Sequence, residues 1–444
     1  MLPIIAIVGR PNVGKSTLFN WLTKSRDALV ADVPGVTRDR QYGIGKQGDR
    51  PYWVIDTGGI MAADASLVDA EIKSQVDQAV DAADCILFVV DARQGLTPAD
   101  AEIAQLLRQS NKKIVVVANK MDHQMPDVAA AEFHSFGFPD LIAISATRGQ
   151  GLSRLLSIAT EDLPMVDQTA DFHGMKIAIV GRPNVGKSTL INRILGEERV
   201  VVLDHPGTTR DSIYIPFERR GVPYTLIDTA GVRRRKSKTD MLDKFAILKT
   251  LEAMRDAHVI VMVLNGREGI LEQDLRLLGR ALEFGKALVI AVNKWDGMDD
   301  NEKNQVKQAI DRKLPFVNFV RRYFISAAHG TGVGSLYRAL NEAFACASKE
   351  LTTHALTAAL AKAIEQHQPP LVEGRRVKPR FAHCGGHHPL TIIVHGKQMD
   401  ELPPSYKRYL TGYFRSHFNL VGIPLLLHFK NDHNPYVKND DGAR

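Results

Sequence analysis

A nine-residue run that begins with glycine and ends in Lys-Ser-Thr occurs twice, at 9–17 and again at 181–189. Its two glycines let the backbone curl so that successive N–H groups point at phosphate oxygens near a helix N-terminus. The lysine, Lys15 or Lys187, brings positive charge to the β- and γ-phosphates, and the serine offers a hydroxyl to Mg²⁺. Each run therefore predicts a nucleotide phosphate loop. The loop residues are Gly9, Arg10, Pro11, Asn12, Val13, Gly14, Lys15, Ser16, Thr17, Gly181, Arg182, Pro183, Asn184, Val185, Gly186, Lys187, Ser188 and Thr189.

An aspartate follows each phosphate loop at the end of an apolar segment, Asp56 in the first copy and Asp228 in the second. A carboxylate in that place can hold Mg²⁺ directly or through water. Thr37 and Thr209 stand on Gly/Pro-bearing loops that could bring a hydroxyl to Mg²⁺ only while a γ-phosphate is present. The predicted magnesium ligands are Ser16, Thr37, Asp56, Ser188, Thr209 and Asp228. Further predicted nucleotide contacts are Thr57, Gly58, Gly59, Ile60, Thr229, Ala230, Gly231 and Val232.

The motif Asn-Lys-x-Asp, which also occurs twice, selects the base. Its aspartate, Asp122 or Asp296, can accept the two N–H groups that guanine presents at N1 and N2, a donor pair that adenine lacks. The aliphatic stem of the lysine can lie on the base plane, and a later backbone N–H can meet the guanine O6. The sequence thus predicts GTP rather than ATP. The base-reading residues are Asn119, Lys120, Asp122, Ser145, Ala146, Asn293, Lys294, Asp296, Ser326 and Ala327.

These motifs recur at an offset that starts at 172 and drifts to 181, which indicates a duplicated domain with insertions in its later loops. In each copy short apolar runs alternate with amphipathic stretches, as in a mostly parallel sheet with helices on both faces. We expect an α/β fold with P-loop GTPase domains at 1–161 and 175–346, joined by a polar linker at 162–174. Residues 347–444 have no counterpart in the first copy and form a third α/β unit.

The chain has 444 residues and a net charge of +7 that is unevenly distributed: −6 over 1–172, +8 over 173–346 and +5 over 347–444. The cationic part favours a polyanionic partner, first nucleic acid and then a membrane surface, although solubility explains it equally well. No segment reaches the roughly 18 uncharged apolar residues of a membrane helix. The apolar start is typical of a first strand rather than a signal peptide. Three distant cysteines fit a reducing cytoplasm.

Two GTPase motif sets in one chain, followed by a basic α/β unit, resemble the tandem-G-domain ribosome-assembly GTPases of the EngA or Der family. The resemblance covers essentially the whole chain. It implies a bacterial cytoplasmic GTPase that uses GTP, GDP and Mg²⁺ and associates with the large ribosomal subunit and its rRNA. It implies no membrane partner, and we expect a monomer off the ribosome.

The resemblance also implies a KH-like domain at the C-terminal end of the chain. The order of elements predicted there, α-β-β-α-β, matches that fold. The Gly-x-x-Gly loop with which many KH domains clamp RNA is absent, so the same mode of binding does not carry over.

Ile60 and Val232 stand where many small GTPases carry a glutamine that orients the attacking water. Neither side chain can hydrogen-bond, so another group must assist. In related GTPases with an apolar residue here, an asparagine of the phosphate loop holds K⁺, which neutralises developing phosphate charge. We therefore expect Asn12 and Asn184 to bind K⁺, the alternative being that they only stabilise the loop by turn hydrogen bonds. The predicted catalytic residues are Asn12, Lys15, Thr37, Asn184, Lys187 and Thr209.

Basic side chains cluster at three places that could meet RNA. One run follows the second D-T-A-G motif, on a loop that senses γ-phosphate, where it favours coupling of nucleotide state to RNA phosphates over a merely solvated face. The others lie before the C-terminal strands and on the last predicted helix, where Arg415 is a further candidate. The predicted RNA contacts are Arg233, Arg234, Arg235, Lys236, Lys238, Arg375, Arg376, Lys378, Lys407 and Arg408.

Two other C-terminal patterns are assigned to structure rather than to a ligand. A stripe of aromatic residues at helical spacing, between Tyr406 and Phe414, is interpreted as core packing rather than base stacking. His383, Cys384, His387 and His388 suggest a metal site, but no second Cys/His pair stands nearby at zinc-site spacing. A turn beside a strand is the favoured interpretation.

Two other functions stay open at this point. One is a nucleotide-gated RNA-binding scaffold in which one G domain binds GTP without turnover. The other is a tRNA-modification GTPase, which shares the phosphate-loop asparagine. That group normally has one G domain and a cysteine near its C-terminus, and this chain has two motif sets and no terminal cysteine.

Overall fold

The computed structural model shows two compact units. One contains the first motif set, and the other contains the second motif set together with the C-terminal region. The structure describes residues 2–23, 42–45, 47–48, 50–57, 80, 83–122, 131–163, 174–197, 200–202, 213–228, 242–372, 375–387 and 389–431. Most of the linker expected at 162–174 lies outside these residues. Within them, no helix is both long and apolar enough to cross a membrane.

The first unit is built on a six-stranded sheet in the order β2-β3-β1-β4-β5-β6. All neighbouring strands are parallel except β2 and β3. The strands β1, β3 and β4 are buried along their whole length, as expected for strands covered on both faces. The strands are β1 (Ile4–Val8), β2 (Tyr42–Gly45), β3 (Tyr52–Asp56), β4 (Cys85–Asp91), β5 (Lys113–Asn119) and β6 (Asp140–Ala143).

Three described helices pack on this sheet: α1 (Lys15–Thr23), α2 (Pro98–Arg108) and α3 (Leu152–Thr160). Thr97 caps α2 by accepting a hydrogen bond from the Asp100 N–H, and proline occupies its first turn. The chain also forms a 3₁₀ helix at Ala131–Phe136. Leu18 and Leu22 of α1 and Leu152 and Leu155 of α3 are buried in one core with the strands.

The second unit contains a seven-stranded sheet in the order β13-β12-β11-β7-β10-β9-β8. Its strands are β7 (Met175–Val180), β8 (Val200–Val202), β9 (Ile213–Arg219), β10 (Val222–Asp228), β11 (Val259–Asn265), β12 (Ala287–Asn293) and β13 (Arg322–Phe324). Its helices are α4 (Lys187–Leu195), α5 (Leu242–Asp256), α6 (Glu272–Glu283), α7 (Asp300–Lys313) and α8 (Val333–Ala347). The central strands are parallel, and β8, β9 and β10 pair antiparallel at one edge. The predicted α/β class, with two mostly parallel sheets, is confirmed.

The C-terminal region follows the predicted order of elements. It contains α9 (Thr353–Gln366), a short hairpin of β14 (Leu371–Val372) and β15 (Arg375–Arg376), then β16 (Lys378–His387), β17 (Leu390–Lys397), α10 (Pro404–His417) and β18 (Leu425–Asn431). The sheet order is β16-β17-β18, with β16 antiparallel and β18 parallel to β17. The hairpin was not predicted, because segments of two residues leave no periodic pattern in the sequence.

The turn predicted at 383–388 is wrong for its described residues, because 383–387 continue strand β16. A register shift between Cys384 and Gly386 bulges the strand instead of ending it. Glycines usually mark turns, but here Gly385 leaves room for a neighbour, since an added Cβ would lie 2.6 Å from Cδ1 of Ile393. His388 lies outside the described residues.

The C-terminal domain shares one hydrophobic core with the second G domain. The N–H of Leu288 donates to the carbonyl of Gly422 at 2.6 Å, and the N–H of Gly422 donates to Phe319 at 3.0 Å. Tyr406, Leu410 and Phe414 are buried in this core, and Tyr409 and Tyr413 pack against it. The stripe on α10 therefore serves packing, as predicted.

Arg415 does not contribute to an RNA-facing surface, which corrects the prediction made for it. Its guanidinium donates to the carbonyls of Leu420 at 3.4 Å and Ile423 at 2.9 Å. It also lies 4.2 Å from the ring centre of Phe319. Burial lowers its pKa to about 10. Periodicity placed Arg415 off the apolar stripe, but a long side chain can turn inward to bind backbone carbonyls.

Candidate nucleotide-binding sites

The first phosphate loop connects β1 to α1 and turns on two glycines. Gly14 has φ +99°, and an added Cβ would lie 2.3 Å from Nδ2 of Asn119. A Cβ on Gly9 would lie 2.3 Å from the carbonyl oxygen of Val89. Only glycine fits at either position, because the backbone of the loop passes directly against β4 and β5. Helix α1 starts immediately afterwards at Lys15, so its free N–H groups face the loop.

Lys15 lies buried at the centre of this loop. Its Nζ donates to the carbonyls of Gly9 and Arg10, each at 2.7 Å. Burial lowers the pKa of its amine to about 8, although the nearby Asp56 carboxylate acts in the opposite direction. In the second loop Lys187 donates to the carbonyl of Arg182 at 2.8 Å, and burial again lowers its pKa. Both amines are positioned to exchange backbone carbonyls for phosphate oxygens.

Two oxygen donors meet beside the first loop. Ser16 Oγ donates to Oδ2 of Asp56 at 3.1 Å, and Asp56 is buried at the end of β3. Thr57 is held by its own hydroxyl, which donates to the carbonyl of Ile7 at 2.9 Å. A hydroxyl and a carboxylate are hard oxygen ligands of the kind that Mg²⁺ prefers, so the residues present fit this ion. When bound, Mg²⁺ neutralises phosphate charge.

In the second copy Ser188 lies at the matching position on α4, and Asp228 ends β10. The side chain of Asp228 is outside what the structure describes. Most of the other residues predicted to sense the γ-phosphate also lie outside the described part of the chain. They are Thr37, Gly58, Gly59, Ile60, Thr209, Thr229, Ala230, Gly231, Val232, Arg233, Arg234, Arg235, Lys236 and Lys238.

Asn119 joins the base-reading segment to the phosphate loop. Its Nδ2 donates to the carbonyl of Val13 at 2.9 Å, and its Oδ1 accepts the N–H of Ala146 at 3.1 Å. In the second copy Asn293 does the same, donating to Val185 at 2.8 Å and accepting from Ala327 at 2.9 Å. This asparagine therefore sets the distance between the phosphate and the base. The described loop and base-reading residues of each set come together at the carboxyl ends of neighbouring strands, where α/β sheets bind ligands.

The aspartate that would bind guanine accepts hydrogen bonds from neighbouring hydroxyl groups. Ser145 Oγ and Thr147 Oγ1 both donate to Oδ1 of Asp122, and the hydrogen bond from Ser145 is the main cause that holds its pKa below the usual range. Ser326 has the same effect on Asp296. A carboxylate kept ionised in this way accepts N–H groups strongly.

Sequence reasoning missed an arginine at each base-reading aspartate. Arg93 donates to Oδ2 of Asp122, and Arg267 donates to the carbonyl of Asp296 at 2.7 Å, 3.5 Å from its Oδ2. Both arginines follow the strand before the Asn-Lys-x-Asp strand and repeat at an offset of 174. That repetition is the signal that could have revealed them.

The two sites differ at the base-facing lysine. Lys120 donates to Asp91 at 2.7 Å, whereas the matching position in the second copy is Asn265, whose amide donates to Glu268. Within the described part of the chain, Lys294 forms no ion pair. The amine of Lys120 is therefore held by a carboxylate. The amine of Lys294 has no such partner among the described residues.

A second missed pair supports each phosphate loop from outside. The Nε of Arg10 donates to both carboxylate oxygens of Asp100 at 3.2 Å, and Asp100 is fully buried in the first turn of α2. The Nε of Arg182 donates to Oδ2 of Asp274 at 3.3 Å, and Arg182 also pairs with Glu268. The carbonyls of these arginines accept the loop lysines, so the pairs fix groups that the lysines contact.

Asn12 and Asn184 stand at the outer tip of each phosphate loop. Both have left-handed backbones, with φ of 66° and 62°, and both are exposed. Among the described residues neither side chain makes a hydrogen bond. This arrangement does not favour the alternative that they stabilise the loop by turn hydrogen bonds.

The predicted RNA contacts with described side chains lie on the C-terminal domain. Lys378 is exposed at the start of β16, Arg408 is exposed on α10, and Lys407 is half-buried with its amine 5.4 Å from the ring centre of Phe429. Arg375 and Arg376 form β15, and nothing further is described of their side chains.

The comparison with known proteins agrees with this geometry. Residues 4–120 and 176–294 match the family model described as 50S ribosome-binding GTPase, and residues 350–430 match the C-terminal KH-domain-like model of EngA bacterial GTPase enzymes. The chain is 56% identical over 437 residues to GTPase Der of Coxiella burnetii (strain Dugway 5J108-111), covering 98% of this chain and 99% of that protein. The chain belongs to the Der family of GTPases.

A second Der relative, from Thioalkalivibrio sulfidiphilus (strain HL-EbGR7), is 55% identical over 441 residues, covering 98% of this chain and 95% of its own. A solved structure of Era in complex with MgGDPNP and nucleotides 1506–1542 of 16S ribosomal RNA is 18% identical over 59% of this chain and 94% of that chain. Its TM-score of 0.31 is too low to add to the assignment. As a Der-family member the chain is an enzyme that hydrolyses GTP, and it binds GTP and GDP. The family is ribosome-associated.

Proposed function

We propose that this Der-family GTPase acts in the cytoplasm in assembly of the large ribosomal subunit, with the nucleotide state of its two sites controlling contact with rRNA. The observation that carries the proposal is the presence, in one chain, of two complete loop-and-base constellations joined by Asn119 and Asn293. The matched family model is described as 50S ribosome-binding. The charge of +8 and +5 on the last two segments suits an rRNA partner.

Co-sedimentation with large ribosomal subunits tests this proposal. We expect retention of the protein with a non-hydrolysable GTP analogue and release with GDP. Retention that is equal with the analogue, with GDP and without nucleotide would contradict control by nucleotide. The absence of retention in all three conditions, with GTP hydrolysis intact, would contradict a ribosomal partner.

In the proposed mechanism Lys15 and Lys187 neutralise the β- and γ-phosphates. Ser16, Thr37, Asp56, Ser188, Thr209 and Asp228 are the proposed magnesium ligands. The geometry that supports them is the meeting of Ser16 with buried Asp56 and the repetition of the same loop at Ser188. The domain boundaries at 161, 175 and 347 and the monomeric state off the ribosome belong to the same proposal.

We further propose that Asn12 and Asn184 hold K⁺ and that this ion stimulates hydrolysis. The exposed side chains of Asn12 and Asn184 and the apolar residues at 60 and 232 support it, because charge on the transferring phosphate then needs another neutralising group. Replacing KCl by NaCl at equal ionic strength should lower turnover by more than about tenfold.

Asn12→Gly with Asn184→Gly is the matched variant for this test, because glycine tolerates the left-handed backbone that both positions adopt. It should bind GDP normally and turn over equally slowly in both salts. A wild-type rate that is the same in KCl and NaCl would contradict the proposal.

A second candidate function is a GTP-gated scaffold in which one site does not turn over. The observation that favours it is the unequal tether of the base-facing lysine, with Lys120 bound to Asp91 and Lys294 without an ion pair among the described residues. Nothing in the geometry favours a tRNA-modification activity.

A further inference from the structure

The outward face of the C-terminal sheet carries a row of stacked rings. The rings of Phe381 and His395 are stacked, with their centres 4.6 Å apart and their planes nearly parallel, at 4°. His383 continues the stack at 5.1 Å and 22° from His395. Phe381 is 40% exposed, and both histidines are only partly buried. The three rings thus form one partly exposed aromatic cluster on two neighbouring strands.

Strand register explains why these rings share one face. His395 pairs with Phe381 on one side and with Lys430 on the other, and the next row joins His383, Ile393 and His428. The intervening residues point to the other face and are buried against α9 and α10: Ala382, Ile392 and Val394. The ring row is therefore the side of the sheet that the two helices do not cover.

The charged residues within the three strands of this sheet are all basic. Strands β16, β17 and β18 contain no aspartate or glutamate, whereas they carry Lys378, Arg380, Lys397 and Lys430. All four cations are exposed. Asp400, in the 3₁₀ turn after β17, accepts a hydrogen bond from Asn431. A ring row bordered by cations is the combination that binds single-stranded nucleic acid, since bases stack on the rings and phosphates meet the cations.

We propose that this face binds single-stranded RNA, with bases stacked on Phe381, His383 and His395 and phosphates paired with Lys378, Lys397 and Lys430. The inference rests on the RNA partner of the proposed function. It adds that the RNA is single-stranded and that this face of the sheet binds it. A second copy of the chain is a poorer occupant, because two such faces would bring like charges together. None of these rings lies in the nucleotide sites.

The test uses the full chain, a fluorescent 12-nucleotide single-stranded RNA and a duplex of the same length, at pH 8. Phe381→Leu with His395→Leu keeps the face apolar but removes the planar rings. We expect this variant to lose at least about tenfold in affinity for the single strand, with little change for the duplex. The salt dependence should keep its slope, since no cation is removed.

Tyr413→Leu is the matched control, because Tyr413 also stacks on a histidine, at 5.6 Å from His417, but on the helical side of the domain. Its affinity should equal that of the wild type. Lys430→Gln should lower the slope of log affinity against log salt by about one. GTP turnover and an unfolding temperature equal to those of the wild type show that each variant is folded. His383→Ala provides a second variant of the ring row.

Binding of the single strand that is unchanged in both ring variants would overturn the inference. Self-association that the ring variants abolish would overturn it too, because the face would then contact a second copy. Wild-type protein that co-sediments with large subunits but does not bind the single strand refutes this inference and leaves the proposed function standing. The absence of co-sedimentation refutes the proposed function instead.

Discussion

At the scale of single residues, the nucleotide sites depend on buried polar groups that bind protein atoms where ligand atoms would also fit. Lys15 shows this best, since its amine is held by two loop carbonyls in a place that lowers its pKa to about 8. An incoming phosphate supplies negative charge at 3 Å or so, which favours the protonated amine. Nucleotide binding at the first site is therefore linked to protonation of the Lys15 amine.

Binding of GDP to the first site should take up most of one proton at pH 8.5. Above pH 8 the Lys15 amine is mainly neutral, and the phosphate returns it to its charged form. Calorimetric titration of the Lys187→Ala variant in two buffers of different ionisation enthalpy measures this uptake. At pH 7 the amine is charged before and after binding, so the uptake from Lys15 should nearly vanish. Equal apparent enthalpies in both buffers at pH 8.5 would contradict the prediction.

Asn119→Ala should remove nucleotide binding from the first site alone. The substitution leaves the Val13 carbonyl and the Ala146 N–H without their partner, at a cost of about 1–3 kcal/mol for each buried group. Titration with a fluorescent GDP analogue should then give one bound nucleotide per chain instead of two. Asn111→Ala, an exposed asparagine before β5, is the control and should keep two. Two sites of unchanged affinity in Asn119→Ala would refute the linking role.

At the scale of elements, the alternation of buried strands with amphipathic helices was predictable, and the antiparallel ends of the two G-domain sheets were not. Strand β1 is buried along its whole length, and α3 buries Leu152, Leu155 and Leu156. The antiparallel strands β2, β8 and β9 were not predicted, and of these β2 and β8, with three or four residues, carry too little periodicity to stand out. α10 begins at Pro404, because proline suits the first turn of a helix.

Arg415→Met should weaken the C-terminal domain of the second unit. The methionine can replace the buried stem, but the carbonyls of Leu420 and Ile423 lose their donor, at a cost of about 1–3 kcal/mol. The unfolding temperature of the second unit should fall by several degrees. Arg408→Met, on the exposed side of the same helix, should leave it unchanged. Equal unfolding temperatures for both variants would show that Arg415 is not a structural residue.

At the scale of the whole molecule, duplication gives two sites whose loops are nearly identical and whose surroundings are not. The phosphate loop, its lysine and the linking asparagine recur, but the first half of the chain is acidic and the rest is basic. The base-facing lysine is tethered only in the first copy, within the described residues. The two nucleotide sites therefore have the same phosphate-binding and linking residues, but the net charge of the chain around them differs.

Lys15→Ala and Lys187→Ala, made separately, should each remove only part of the GTP turnover if both sites hydrolyse GTP. Each alanine deletes the charge that neutralises the β- and γ-phosphates at one site. Steady-state phosphate release measures the remaining rate, and the double variant supplies the baseline. A single variant that keeps the full rate would show that its site does not turn over, which is the result expected for the scaffold.

The sequence by itself determined the α/β class, the duplication, the guanine-reading motifs and the family, because glycine, lysine and aspartate at fixed spacing have few other uses. Only the tertiary structure revealed Arg93, Arg267 and Asp100 at the sites, since contacts between residues far apart in the chain leave no local pattern. The inward turn of Arg415 and the ring row of Phe381, His383 and His395 were decided in the same way. Register between strands brings such residues to one face, and register depends on the packing of the whole sheet.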